Sequence, residues 1–200
     1  MNICRALLLP ILLMPASAFA AAELGQPAPD FKLPAADGKQ ISLADYKGKV
    51  VVLEWFNSGC PFVMNHYKSG HIQKLQRGAQ EKGAVWLTVN STAADHKDFL
   101  GPEKSAAFAK EHAAASAAFV IDADGKVGKD YEAKTTPHIF VIDKSGMLVY
   151  KGAIDDNDDP RADPALAKNY AQAALDEVLA GKSVTTAETK PYGCSVKFAE

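Results

Sequence analysis

The sequence predicts one α/β domain whose central, largely parallel sheet is flanked by helices, with an N-terminal hairpin and a C-terminal extension. Three observations carry this reading. Lys49 to Phe56 (KVVVLEWF), Ala84 to Asn90 (AVWLTVN) and Ala118 to Asp122 (AFVID) are nearly continuous apolar runs rich in β-branched residues, the pattern of strands covered on both faces. Helical stretches separate these runs, as parallel strands require. After Tyr131 two strand runs stand close enough in sequence to form an antiparallel hairpin, and a helix follows them.

Each element has its own local cause. Asp37-Gly38 supplies turn chemistry between Phe31–Leu33 and Ile41–Leu43, giving the N-terminal hairpin. Pro61 opens a helix that runs to about Gln80, with Ser69-Gly70 as a point of kinking or division. Pro102 opens a second helix ending near His112. Lys144-Ser145-Gly146 joins the strands His138–Asp143 and Met147–Ala153. The last helix is expected from Pro164 to Leu179, stopped by Gly181. Lys182 to Thr189 reads as a polar tail, and Pro191-Tyr192-Gly193 as a flexible lead into Cys194.

The 200 residues carry 22 Lys+Arg against 24 Asp+Glu, a balance of −2 that argues against a nucleic-acid partner. The apolar run Leu7–Met14 is too short to span a bilayer, which takes about 20 residues. Preceded by Arg5 and followed by Ala18-Phe19-Ala20, it reads as a secretory signal peptide over residues 1–20. The expectation is therefore an exported protein, periplasmic if the source is bacterial, with no membrane insertion after cleavage. The domain then covers 21–181, and 182–200 form a C-terminal tail. Removal of the leader takes Cys4 with it and leaves Cys60 and Cys194, a pair that in an oxidising compartment forms a disulfide or a redox couple.

Cys60 is the candidate nucleophile. It follows the first buried strand through Asn57-Ser58-Gly59 and precedes Pro61, whose missing N–H suits the first turn of a helix. A sulfur at a helix N-terminus faces free backbone N–H groups and the positive end of the macrodipole, which favour the thiolate, the reactive form. The alternative is a small buried hydrophobe or one end of an inert disulfide.

Ala28-Pro-Asp-Phe-Lys-Leu33, Trp55-Phe-Asn-Ser-Gly-Cys-Pro-Phe-Val63, Thr135-Thr-Pro137, Tyr150-Lys-Gly-Ala-Ile-Asp-Asp156 and Gly193-Cys-Ser-Val-Lys197 together resemble the thioredoxin and peroxiredoxin superfamily, in particular its peroxiredoxin-like redoxin branch. The resemblance implies a thioredoxin-like sheet, a cysteine at the first helix and a cis proline facing it, with Thr136-Pro137 at the matching place. It also implies that Pro61, Thr136 and Pro137 bind or position substrate, and that Glu54, matching a buried acid of thioredoxins, assists proton transfer near the cysteine. The chain departs from the family in two places. Val63 stands where a second cysteine would complete Cys-x-x-Cys, and Leu53 and Asn57 replace the Pro and Thr of the peroxiredoxin motif. Cys194 is then the provisional resolving thiol. As a static staple instead, its bond to Cys60 would contribute about 5 kcal/mol through loop closure.

Glu54 is a lone acid in an apolar strand. Buried, it would have a raised pKa and carry protons, directly or through water; at an edge it would be an ordinary carboxylate paired with a lysine. His66 and His71, five apart on one expected helix, do not share a face and read as surface residues. The run Asp155–Asp159 lacks the spacing of a calcium loop and reads as a solvated turn. No cofactor and no metal ligand are expected. The function expected is a thiol-dependent oxidoreductase acting with a redox protein or thiol electron donor and with a small oxidant or client disulfide. The alternatives are a thiol peroxidase, in which Cys60 passes through a sulfenic acid, and a non-enzymatic binding or scaffold protein with a static disulfide.

Overall fold

A computed structural model describes residues 21–199, so the expected signal peptide lies outside the described residues. Strands β1 (Lys32–Pro34) and β2 (Gln40–Ser42) pair antiparallel as the hairpin expected around Asp37-Gly38. Strand β3 (Val51–Trp55) is buried at every position. It lies at the centre of a five-stranded sheet of order β5-β4-β3-β7-β8. Strands β4 (Val85–Asn90) and β5 (Ala118–Ile121) extend the sheet in parallel on one side of it. Strands β7 (His138–Ile142) and β8 (Leu148–Gly152) form the antiparallel hairpin on the other. The remaining pair, β6 (Thr135–Thr136) and β9 (Cys194–Ser195), stands apart as a two-stranded ribbon.

Alternation along β3 explains why it is apolar on both faces apart from Glu54. Val52 and Phe56 point into a core built with Ile72, Leu75, Ala171 and Leu175, whereas Val51, Leu53 and Trp55 point into a second core with Phe31, Leu33, Val127 and Tyr131. Both faces of the strand are covered. Among the described residues no helix is long and apolar enough to cross a membrane.

The helices follow expectation at the Ser69-Gly70 break and depart from it at two places. The stretch from Pro61 divides into α1 (Pro61–Lys68) and α2 (His71–Glu81) at Gly70, which adopts φ +76°, a conformation favourable only without a Cβ. Helix α3 (Pro102–Glu111) begins at its proline as expected. A short helix α4 (Lys126–Asp130) then appears where none was foreseen, its first turn held by the Asp122 carboxylate, which accepts from Val127 N at 3.1 Å and Gly128 N at 2.8 Å. Pro164 starts only a 3₁₀ turn, Pro164–Leu166. The last helix, α5 (Tyr170–Leu179), begins after Asn169, whose side chain accepts from Gln172 N at 2.6 Å. Residues 167–169 cannot be helical because they are pinned in extended form to the acidic loop: Asp156 N donates to Lys168 O and Lys168 N to Asp156 Oδ1.

The polar C-terminal segment is docked along its length rather than free. Lys151 N donates to Ala187 O at 3.1 Å, Thr189 N to Lys151 O at 3.2 Å and Ala93 N to Lys197 O at 2.7 Å. Phe198 packs over Gly125 and Gly128, where a Cβ would collide with its ring.

Candidate active site

The turn that delivers Cys60 is fixed by Asn57. Its Oδ1 accepts from Gly59 N at 2.7 Å, its carbonyl accepts from Cys60 N at 3.1 Å, and its amide donates to Thr92 Oγ1 at 3.0 Å. Cys60 then caps α1 with extended backbone (φ −85°, ψ 119°), and Pro61 takes the first helical position. Cys60 thus stands at the start of α1 as expected, but its sulfur makes no hydrogen bond to the helix N–H groups. Cys60 is only 1% exposed, and its Sγ donates to the carbonyl of Thr136 at 2.9 Å.

The Thr136-Pro137 peptide is cis. Thr136 therefore reaches Cys60 through its carbonyl on one side, while on the other its backbone pairs with Cys194 in the β6–β9 ribbon. The resemblance implied the first contact; nothing in the tail's composition announced the second. Both thiols are free, Cys60 buried and Cys194 partly exposed. The Cys194 thiol is pushed up to about 11, first by burial and then by the neighbouring Cys60. At neutral pH it keeps its proton. The two sulfurs are therefore unequal: Cys60 stands at a helix start with its thiol on the Thr136 carbonyl, and Cys194 is held protonated chiefly by burial.

Gly193 makes this docking sterically allowed. It adopts φ +118°, and a Cβ there would fall well inside contact distance of the Thr136 carbonyl oxygen. Gly193→Ala is expected to lift β9 from β6 and to speed alkylation of Cys194 about tenfold or more, which corresponds to ~1.4 kcal/mol of lost docking. Mass-resolved iodoacetamide labelling in a Cys60→Ser background checks it; an unchanged rate would mean that the ribbon absorbs the methyl group.

Glu54 lies fully buried on the Phe56 side of β3. Its Oε2 accepts from Trp86 Nε1 at 2.9 Å, Thr88 Oγ1 at 3.3 Å, and Tyr67 OH and Gln76 Nε2 at 3.4 Å each. Burial nevertheless pushes its carboxyl up to about 7, because these donors offset only part of the lost hydration. The alternative readings of Glu54, as an edge-facing or a lysine-paired carboxylate, do not hold: it is buried, and its partners are Trp86, Thr88, Tyr67 and Gln76. Neither cysteine is among its hydrogen-bond partners.

Two readings of the polar residues need correction. His66 and His71 do not lie apart on a surface. His66 is 4% exposed, and the break at Gly70 turns α2 so that the two rings stand 5.3 Å apart. Asp155 does not belong to a solvated loop either, since it is 1% exposed and its Oδ1 accepts from Tyr192 OH at 2.5 Å. The rest of the acidic run disperses, with Asp159 pairing to Arg161 at 3.0 Å and Asp156 accepting from Lys168 N. Sequence reasoning missed Tyr192. It stacks on Phe62 at 5.7 Å, reaches His66 Nε2 at 3.3 Å and anchors the segment just before Cys194.

A family model described as AhpC/TSA matches residues 24–151, well over half of the chain. This chain belongs to the AhpC/TSA family. As a redoxin of thiol–disulfide oxidoreductase and peroxiredoxin kinship, it has named relatives on both sides. Thioredoxin-like protein YneN of Bacillus subtilis (strain 168) is 31% identical over 125 residues, 62% of this chain and 68% of that one. Peroxiredoxin Bcp of the same organism is 29% identical over 138 residues, 64% of this chain and 82% of that one. Among solved structures, an uncharacterised conserved protein of Geobacillus kaustophilus superimposes with TM-score 0.79 at 29% identity, covering 92% of this chain and 94% of that one. The redoxin fold is thioredoxin-like, as expected, and this likeness extends past the family model's end at residue 151.

Proposed function

We propose that the protein is an exported thiol–disulfide oxidoreductase in which Cys60 attacks and Cys194 resolves. The observation that carries this is the β6–β9 ribbon, which sets Cys194 on the residue preceding the cis proline while the same residue's carbonyl receives the Cys60 thiol. In the reducing direction, the Cys60 thiolate attacks one sulfur of a client disulfide. A Cys60–client bond forms, and the first client sulfur leaves as a thiolate that takes a proton. Cys194, on losing its own proton, attacks Cys60 Sγ; the Cys60–Cys194 bond forms and the second client thiol departs. Two electrons have then passed from the protein's thiols to the client. A redox protein or thiol donor restores the dithiol. Pro61 fixes the helix start, Thr136 and Pro137 position the reacting sulfurs, and Glu54, poised near neutrality, exchanges protons with them through water.

One observation favours a second reading. The 1% exposure of Cys60 suits a small oxidant better than a bulky client. Hydrogen peroxide would convert the Cys60 thiolate to a sulfenic acid, releasing water after proton transfer, and Cys194 would condense with it to give the same disulfide and a second water. Reduced protein offered one equivalent of a small model disulfide or of peroxide, then alkylated and weighed, separates the two. Faster loss of both alkylation sites with the disulfide supports the oxidoreductase, and faster loss with peroxide the peroxidase. A chain that reacts with neither at a rate above that of a free thiol would be a scaffold.

A further inference from the structure

Outside the thiol site, the greatest concentration of unsatisfied polar chemistry lies where α1, α2 and the loop after β8 meet. His66, His71 and Asp155 each present one ligand-type atom there, all within 4.8 Å of one another. Asp155 Oδ2, on the side facing His66 Nε2, is buried without any hydrogen-bond partner. Such groups are few in folded proteins, and each calls for an explanation. We propose that His66, His71 and Asp155 form a binding site for one divalent first-row transition-metal ion of the zinc class.

The donor set selects the ion. Two imidazoles with one carboxylate suit zinc and its neighbours, whereas calcium takes 6–8 oxygens, which this cluster does not offer. Asp155 is oriented from behind: Tyr192 OH at 2.5 Å and Asn157 N at 3.0 Å both donate to Oδ1, leaving Oδ2 directed at His66 Nε2, 3.8 Å away. His71 is steadied by Asn169, whose amide lies 3.0 Å from Nε2. Supporting hydrogen bonds of this kind are what hold metal ligands in place.

Tetrahedral zinc with bonds near 2.1 Å spaces its ligands about 3.4 Å apart, so the His66–Asp155 pair needs to close by only about 0.4 Å. His71 also lines a cleft of about 690 Å³, together with Lys74, Asn169 and Asp176. Of the three residues only His71 lines that cleft, so it is the side from which an ion would approach.

The test uses the mature chain with Cys60→Ser and Cys194→Ser, because thiols bind zinc themselves. Chelator-stripped protein is titrated with Zn²⁺ by calorimetry, and with Co²⁺ by absorption, where nitrogen and oxygen ligation gives ligand-field bands without thiolate charge transfer. The expected result is one ion per chain, with affinity weakened about tenfold or more by His71→Ala or Asp155→Asn. His71 is partly exposed, so its variant leaves the core intact, and circular dichroism verifies this. Absence of stoichiometric binding to the thiol-free chain, or equal affinity in a folded His71→Ala variant, overturns the assignment.

Discussion

Cys60→Ser lowers turnover of a small disulfide or of peroxide by roughly three orders of magnitude or more, the scale on which loss of a nucleophile acts. The neighbouring thiol cannot take over. With its pKa at about 11, Cys194 is ionised in only about one molecule in ten thousand at pH 7. Burial, the larger cause of that shift, persists when Cys60 is replaced. The reciprocal variant behaves differently: Cys194→Ser completes the first attack and stops there, with Cys60 trapped as a mixed disulfide or a sulfenic acid. Steady-state rates for both variants, with mass analysis of the adducts, measure the asymmetry. A Cys60→Ser protein within threefold of wild type would remove Cys60 from the reaction.

Glu54→Gln flattens the pH dependence of stability. An acid whose folded pKa lies at about 7 rather than 4.5 binds its proton more tightly in the folded chain. Its contribution is therefore complete below pH 4.5, is lost as pH rises through 7, and stays absent above that. The loss amounts to about 3 kcal/mol at most for a shift of this size. Glutamine keeps an oxygen for Trp86 Nε1 and carries no charge, so the variant should be as stable as wild type at pH 5 and more stable at pH 8. Urea midpoints at those two pH values, with unchanged m, provide the measurement. Parallel profiles for the two proteins would mean that Glu54 titrates elsewhere.

Local signals delivered much of the fold. The nearly continuous apolar run of β3, the Cys60-Pro61 helix start and the Lys144-Ser145-Gly146 turn each follow from residues adjacent in sequence. What escaped depends on contacts between distant residues. The ribbon of β6 and β9 has two residues on each side and no pattern of its own; it depends on the close approach of the Gly193 backbone to Thr136, 57 residues away in sequence. Helix α4 is an exception, held locally by the carboxylates of Asp122 and Asp124 just upstream. The Ser69-Gly70 break was legible, but its consequence was not: spacing on one straight helix separates His66 from His71, whereas two helices joined at a left-handed glycine bring them together. Asp155 likewise looks like its acidic neighbours until Tyr192 draws it inward.

The ribbon makes the C-terminal segment a competitor for its own active site. A client peptide laid along Thr136 would need the backbone groups that Cys194 already occupies, and the segment is tethered through its hydrogen bonds to Lys151. Tethering by a short span gives an effective concentration on the order of millimolar, above that of most free proteins. Clients must therefore bind in proportion to the fraction of time the ribbon is open, whereas a small oxidant needs only a path to sulfur. In the proposed reaction, selectivity would then be adjustable from the tail: substitutions that weaken β9 would favour large disulfides, and those that strengthen it small molecules, without any change to Cys60.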